Sequence, residues 1–191
     1  MKISCTASRG RRGSSVGFTL VELAIGIMVL LVGVLGFAQT LVSLERMRTM
    51  SRESGRAAQA ARGMLERIQA EAFPEAFRRF NDTPADDPGG IGTAPGANFA
   101  VPGLQARADD PDGMAGQVIF PTPVGLPGEL RESTVDASLG MPRDLNGDDV
   151  IHATNSYATD YRVLPVRVRV TWVGVAGPGE VELRSLLGNY R

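Results

Sequence analysis

The sequence predicts an α+β chain, with a long amino-terminal helix packed on a small antiparallel β-sheet domain. Three observations point there. Residues 18–73 contain no proline and keep a helical period; residues 164–172 alternate apolar and polar, as a strand with one buried face does. Between them, residues 74–142 hold ten of the twelve prolines, which breaks that region into loops and short strands.

The helix begins with its most unusual stretch, Gly17-Phe18-Thr19-Leu20-Val21-Glu22. From Phe18 to Ala38 only Thr19 and Glu22 are polar. That run of about twenty residues suits a helix crossing a hydrocarbon core of roughly 30 Å. A carboxylate at such a place costs on the order of 2.5–3.5 kcal/mol on insertion scales, which marks Glu22 as a functional residue with a partner. Ahead of it, residues 1–17 carry Lys2, Arg9, Arg11 and Arg12 and no acid, and they contain no apolar core of their own. A basic segment before the span and the bulk of the chain after it follow the positive-inside tendency, although Arg46, Arg48 and Arg52 beyond the span weaken the asymmetry.

Past the apolar run the helix becomes amphipathic. Leu44, Met47, Ser51, Ser54, Ala58, Ala61, Leu65, Ile68 and Ala72 recur at spacings of three and four. Glu45, Arg48, Arg52, Arg56, Gln59, Arg62 and Glu66 occupy the opposite face. The small residues make a poor coiled-coil seam and a good surface for close packing on a sheet. Pro74 stops the pattern, and a helix over residues 18–73 would be about 84 Å long.

In the irregular region, residues 98–104 and 116–120 read as strands that can pair as a hairpin, with Pro102 holding the first to an edge. Residues 129–132 form a weaker strand candidate. Leu164, Val166, Val168, Val170 and Trp172 make the buried face of the clearest strand, and a turn over residues 174–179 leads into a return strand begun by Val181, Leu183 and Ser185.

Of 191 residues, 20 are basic and 21 acidic, a formal charge of −1. Residues 1–17 take four of the basic ones, so the remainder carries 16 against 21, a charge of −5. Such a balance argues against nucleic-acid contact through a broad basic surface. The only cysteine is Cys5, so the chain beyond residue 17 can form no disulfide. That part also has a single histidine, His152, and no nucleophile–base constellation, zinc-ligand cluster or phosphate-binding glycine loop, so the expectation is a non-enzyme.

One further pattern has ligand chemistry. In residues 144–155, oxygen side chains at Asp144, Asn146 and Asp148 fall on the first, third and fifth positions of a twelve-residue calcium loop, and Val150 supplies a carbonyl at the seventh. The stretch resembles the calcium loops of EF-hands and dockerin modules. It departs from them at Asp149, where the sharp turn calls for glycine, and at Asn155, where a bidentate acid would close the site. A turn rich in Asp and Asn without metal reads equally well from these residues.

Basic leader, Gly17, Phe18, the Thr19-Leu20-Val21-Glu22 string and the uninterrupted apolar run together resemble the prepilin signature of type IV pilins and type II secretion pseudopilins. The match covers roughly the first 75 residues. Leu44 at the end of the apolar segment, with Ala61, Met64, Glu66, Arg67 and Ile68, also resembles minor pilins of the PilV kind and related minor pseudopilins. The resemblance implies a cleaved leader (1–17), a transmembrane and assembly helix (18–43), an amphipathic helix (44–73) and an extracytoplasmic loop-rich sheet domain (74–191). It implies cleavage between Gly17 and Phe18 by a prepilin peptidase, N-methylation of Phe18, and pairing of Glu22 with the new amino terminus of its own chain or a neighbouring subunit. The partners implied are the peptidase, other pilin or pseudopilin subunits and inner-membrane lipids, in a pilus or secretion filament assembled from the bacterial inner membrane. The alternative is a single-pass membrane protein whose extracytoplasmic domain binds calcium or another ligand. Many major pilins have a proline within the membrane stretch; this sequence does not.

Overall fold

The computed structural model describes Gly17 and residues 19–189. The elements in chain order are α1 (Leu20–Ala70), α2 (Phe73–Phe80), β1 (Asn98–Phe99), β2 (Gly116–Ile119), β3 (Val163–Gly174) and β4 (Gly177–Gly188). Two single turns of 3-10 helix, Pro84–Asp86 and Ala137–Leu139, lie in the connections. The chain divides into two compact units, Met1–Glu45 and Arg46–Arg191.

The first unit contains the apolar part of α1. Its apolar side chains, from Leu20 through Leu44, are exposed on all sides, and the most apolar eighteen-residue stretch of α1 has no residue buried in the protein. Among the described residues α1 is the one helix long and apolar enough to cross a membrane. The two hydroxyls near the end of the apolar run are satisfied internally: Thr40 donates to the Phe37 carbonyl at 2.6 Å and Ser43 to that of Gln39 at 3.0 Å. A lipid-facing helix needs this, since hydrocarbon offers no partner.

In the second unit a four-stranded antiparallel sheet of order β1-β2-β3-β4 buries one face. Leu164, Val166, Val168, Val170 and Trp172 of β3 form its centre, together with Ala57, Ala61, Met64 and Ile68 of α1 and Phe77 and Phe80 of α2. Ala57 and Ala61 are fully buried, which permits close approach of the helix backbone. The buried stripe is set about one residue from the expected one: Ser51 is exposed and Ala58 half-buried, while Ala57 and Met64 point inward. The expected face took Ala58 and Leu65 where Ala57 and Met64 pack inward, while the half-buried Ser54 and the buried Ala61 and Ile68 belong to both.

The register explains two glycines. Phe99 pairs with Gly116 and Trp172 with Gly179. A Cβ on Gly116 would lie 2.3 Å from the Phe99 ring, and one on Gly179 would lie 2.4 Å from the Trp172 indole. Each aromatic ring therefore lies across a strand position that only glycine can fill.

Several boundaries differ from the sequence reading. Helix α1 ends at Ala70, short of residue 73, and Pro74 starts rather than stops helical structure, since it sits in the first turn of α2 where no helical N–H is required. The strand expected over residues 98–104 is only Asn98–Phe99, because the chain turns at Gly103 (φ 77°) and Leu104 N–H bonds the Val101 carbonyl at 3.1 Å. It does pair with β2 as an antiparallel hairpin. Residues 129–132 join no sheet, although Leu130 and Glu132 are fully buried.

Tyr161, just before β3, fixes α2. Its hydroxyl accepts from Phe77 N–H at 3.2 Å and donates to the Phe73 carbonyl, a donor and an acceptor one helical turn apart. The ring packs on Phe73 with centroids 4.9 Å apart. Burial pushes the phenol up to about 12, against the smaller opposing effect of Phe77 N–H. Tyr161→Phe should cost about 1–2 kcal/mol in urea denaturation at neutral pH. The native state holds the phenolic proton beyond the ordinary value of 10, so the tyrosine's contribution is complete below about pH 10 and declines as pH rises toward 12. Stability curves of wild type and Tyr161→Phe should therefore converge over that interval.

Candidate functional site

Two places carry the chemistry singled out in the sequence, one in each unit. The first is the start of α1. Gly17 is exposed and non-helical, and Phe18 lies outside the described residues. Thr19 Oγ1 accepts from Glu22 N–H at 3.3 Å, and the Thr19 carbonyl accepts from Leu23 N–H at 3.1 Å. Thr19 is thus the helix cap, and Glu22 stands at the third helical position, where an acid favours the positive end of the helix dipole. Thr-x-x-Glu is also the capping-box spacing, of which the structure shows the bond from Glu22 N–H to Thr19 Oγ1.

The second place is the loop over residues 144–155. Asp144 Oδ1 accepts from Gly147 N–H at 2.6 Å and Oδ2 from Asp149 N–H at 2.7 Å. Asn146 Oδ1 accepts from Asp148 N–H at 3.0 Å, and Asp148 Oδ1 from Val150 N–H at 2.9 Å. The Asn146 amide also donates to Asp148 Oδ2 at 3.0 Å. Asp144, Asn146 and Asp148 are therefore brought into one tight turn that reaches Val150. Asp149 has φ 66°, the left-handed conformation that the glycine position of a calcium loop adopts, and among the described residues it is the one non-glycine with positive φ. Asp is one of the few side chains that tolerate it.

These contacts set the loop's electrostatics. Partial desolvation raises the Asp144 carboxyl, but the backbone N–H groups of Gly147, Asp149, Asp148 and Asn146 together outweigh it and hold it below the ordinary carboxylate range. Asp148 is lowered first by the Asn146 amide, then by Val150 N–H, with a smaller contribution from His152. Among the described residues no three His, Cys, Asp or Glu side chains gather as metal ligands. A calcium ion here would rest on two carboxylates, the Asn146 amide oxygen and the Val150 carbonyl, using lone pairs that the backbone N–H groups leave over.

The sequence reading missed the residue that holds this loop from beneath. Glu132 is fully buried. Its Oε1 accepts from Leu145 N–H at 2.8 Å and from Asn146 N–H at 3.4 Å; its Oε2 accepts from His152 N–H at 2.8 Å. Both ends of the turn are thus tied to one carboxylate. Among the described residues His152 Nδ1 has no hydrogen-bond partner, and it lies 3.5 Å from Glu132 Oε2 and 3.7 Å from Asp148 Oδ2. The backbone completes the attachment. Arg143 N–H bonds the Glu132 carbonyl at 3.1 Å, Tyr157 N–H that of Leu130 at 2.8 Å, and Arg162 and Val163 N–H that of Leu145 at 2.8 and 3.1 Å. The last two lead directly into β3. The only sequence signal for Glu132 was a charged residue beside apolar Leu130 in a segment read as a weak strand.

No family model, curated protein or solved structure matches this chain.

Glu132→Gln tests the staple. Whichever way the amide turns, its NH2 faces a backbone N–H, so one attachment becomes a donor–donor clash. The expected loss is about 2–3 kcal/mol in urea denaturation, with faster amide exchange at Leu145 and His152 than at Val168 in the middle of β3.

Proposed function

We propose that this chain is a prepilin-type protein, a minor pilin or pseudopilin that serves as a structural subunit of a type IV pilus or type II secretion-like filament built from the inner membrane. The observation that carries the reading is Gly17 directly before an apolar helix whose first turn holds a lone carboxylate, Glu22. The apolar stretch of α1, which no described residue buries, supports it, because that surface calls for lipid or neighbouring helices. A small α+β domain following the helix also supports it, since the resemblance implies that layout. In this proposal a peptidase cuts between Gly17 and Phe18, Phe18 is N-methylated, and Glu22 pairs with the new amine of its own chain or the next subunit. In a low-dielectric setting such a pair is strongly preferred to two isolated charges.

Intact-mass measurement in cells with and without the prepilin peptidase should show the chain beginning at Phe18 only where the peptidase is present; a Met1 start in both overturns the proposal. Glu22→Gln keeps the Thr19 cap, which uses the residue's backbone N–H, and Gln suits that helix position as well as Glu. The helix start and membrane insertion should therefore survive while incorporation into filaments falls. Equal incorporation would favour the second reading, a single-pass membrane protein with an extracytoplasmic ligand-binding domain.

That second reading draws its support from the loop at Asp144. Its left-handed Asp149 and the shared turn of Asp144, Asn146 and Asp148 support a weak calcium site, which a filament subunit can also possess. Extracytoplasmic sites of this kind bind with dissociation constants of about 10⁻⁴–10⁻³ M. At ten times such a constant, calcium adds roughly 1.4 kcal/mol of stability. The protein in detergent should melt higher in millimolar calcium than in chelator, and Asp144→Ala with Asp148→Ala should erase the difference. An unchanged melting temperature in the unmutated protein would reduce the loop to a self-closed turn.

A further inference from the structure

β4, twelve residues long, is the outer strand of the sheet. Thr171 N–H bonds the Ala115 carbonyl, on the β2 side of β3. Hydrogen-bonding direction alternates along a strand, so the odd-numbered residues of β3 face β2 and the even-numbered ones face β4. Through the pairs Val170↔Val181 and Val168↔Leu183, the odd-numbered residues of β4 bond back to β3. The N–H and C=O groups of Glu180, Glu182, Arg184 and Leu186 consequently point off the sheet. Such a row is a template for another strand.

The charges along this edge specify which strand. Laid antiparallel on a second copy of itself about a two-fold axis at Leu183, β4 opposes Glu182 to Arg184 twice and Glu180 to Leu186 twice. No like charges meet. Moving the axis to Glu182 opposes Glu180 to Arg184 but places Glu182 opposite itself, moving it to Arg184 places that arginine opposite itself, and moving it to Val181 opposes Glu180 to Glu182. Directly opposed like charges are destabilising, and an axis at Ser185 leaves Glu182 and Arg184 with no opposite charge. In the favoured register the residues with outward N–H groups are the ones that exchange hydrogen bonds, as the geometry requires. Leu183 meets Leu183 at a non-hydrogen-bonded position, where side chains approach most closely. Glu182 and Arg184 already pair within one chain, at 2.6 Å, so the interface would join two such pairs into one network. Leu186, 49% exposed, and the half-buried Val181 and Leu183 would lose surface to water. Pro178, without an N–H, ends the ladder at the hairpin side.

We propose that the β4 edge is a self-complementary docking surface for a second copy of this chain, forming one antiparallel sheet across both. This stands apart from the filament reading, and it is tested apart from it, by cysteine placement in the full chain in detergent with Cys5→Ser. Across a non-hydrogen-bonded pair the Cα atoms lie about 4.5 Å apart, within disulfide reach. Leu183→Cys should give a covalent dimer on mild oxidation. Ser185→Cys lies on the same face of the same strand, but its two copies would be about 13 Å apart and should stay monomeric. Val175→Cys, exposed at the hairpin tip, should also stay monomeric. Arg184→Glu, with its fold checked by circular dichroism, sets like charges opposite each other in both halves and should slow the Leu183→Cys cross-link about tenfold. Absence of a Leu183→Cys dimer, or equal yields at 183, 185 and 175, overturns the proposal.

Discussion

The irregular half of the domain depends on one buried carboxylate. Residues 81–162, between α2 and β3, are rich in proline and glycine, and no cysteine is available beyond residue 17 to staple them. Their backbone N–H groups still require acceptors when buried. Glu132 supplies acceptors for Leu145, Asn146 and His152 at once, and its own backbone carbonyl accepts from Arg143. A desolvated carboxylate is costly in isolation, and several N–H donors are the compensation it needs. Leu145, held in this way, is fully buried and passes its carbonyl to the residues that open β3. The loop, its anchor and the central strand are therefore one hydrogen-bonded unit.

Elements with their own periodicity could be read from the sequence. The alternation from Leu164 to Trp172 located β3, and its burial in the structure follows that alternation. The unbroken helical run located α1 to within a few residues at each end. Its buried face was displaced because Ala57 and Ala58, and likewise Met64 and Leu65, are adjacent apolar residues between which spacing alone does not choose. Structure set by distant partners was not legible. Glu132 lies thirteen residues from Leu145 and twenty from His152, and nothing in its own neighbourhood announces those contacts. The short helix α2 carries a clear signal, since Phe73, Ala76, Phe77 and Phe80 share a face, but its proline was taken as a stop. In the candidate loop, spacing alone put Asp144, Asn146 and Asp148 in one turn. The left-handed Asp149 needed coordinates, because an Asp at that position reads from sequence as a departure from the calcium pattern.

The two parts of α1 obey different rules. In the first, polar groups are few and the hydroxyls find partners locally: Thr19 caps the helix, and Thr40 and Ser43 bond carbonyls of the preceding turn. In the second, small and bulky apolar side chains share the buried face, with Ala57 and Ala61 fully buried beside Met64 and Ile68. The same regular backbone serves both because helix hydrogen bonding is complete within the segment and leaves the side chains to adapt to what surrounds them.

Tyr161 has a consequence for the timing of folding. Its hydroxyl meets α2 across 84 and 88 positions of sequence, and β3, which centres the core, follows it immediately. Ribosomes add about 5–20 residues per second, so α1 and α2 wait several seconds for the groups that bury them. During that interval Phe73, Phe77 and Phe80 lack Tyr161 and the β3 face of their core. Contacts of such long sequence separation are also the slow ones to form. The nascent chain thus passes through a stage in which its aromatic residues are made and their burial awaits the final hairpin.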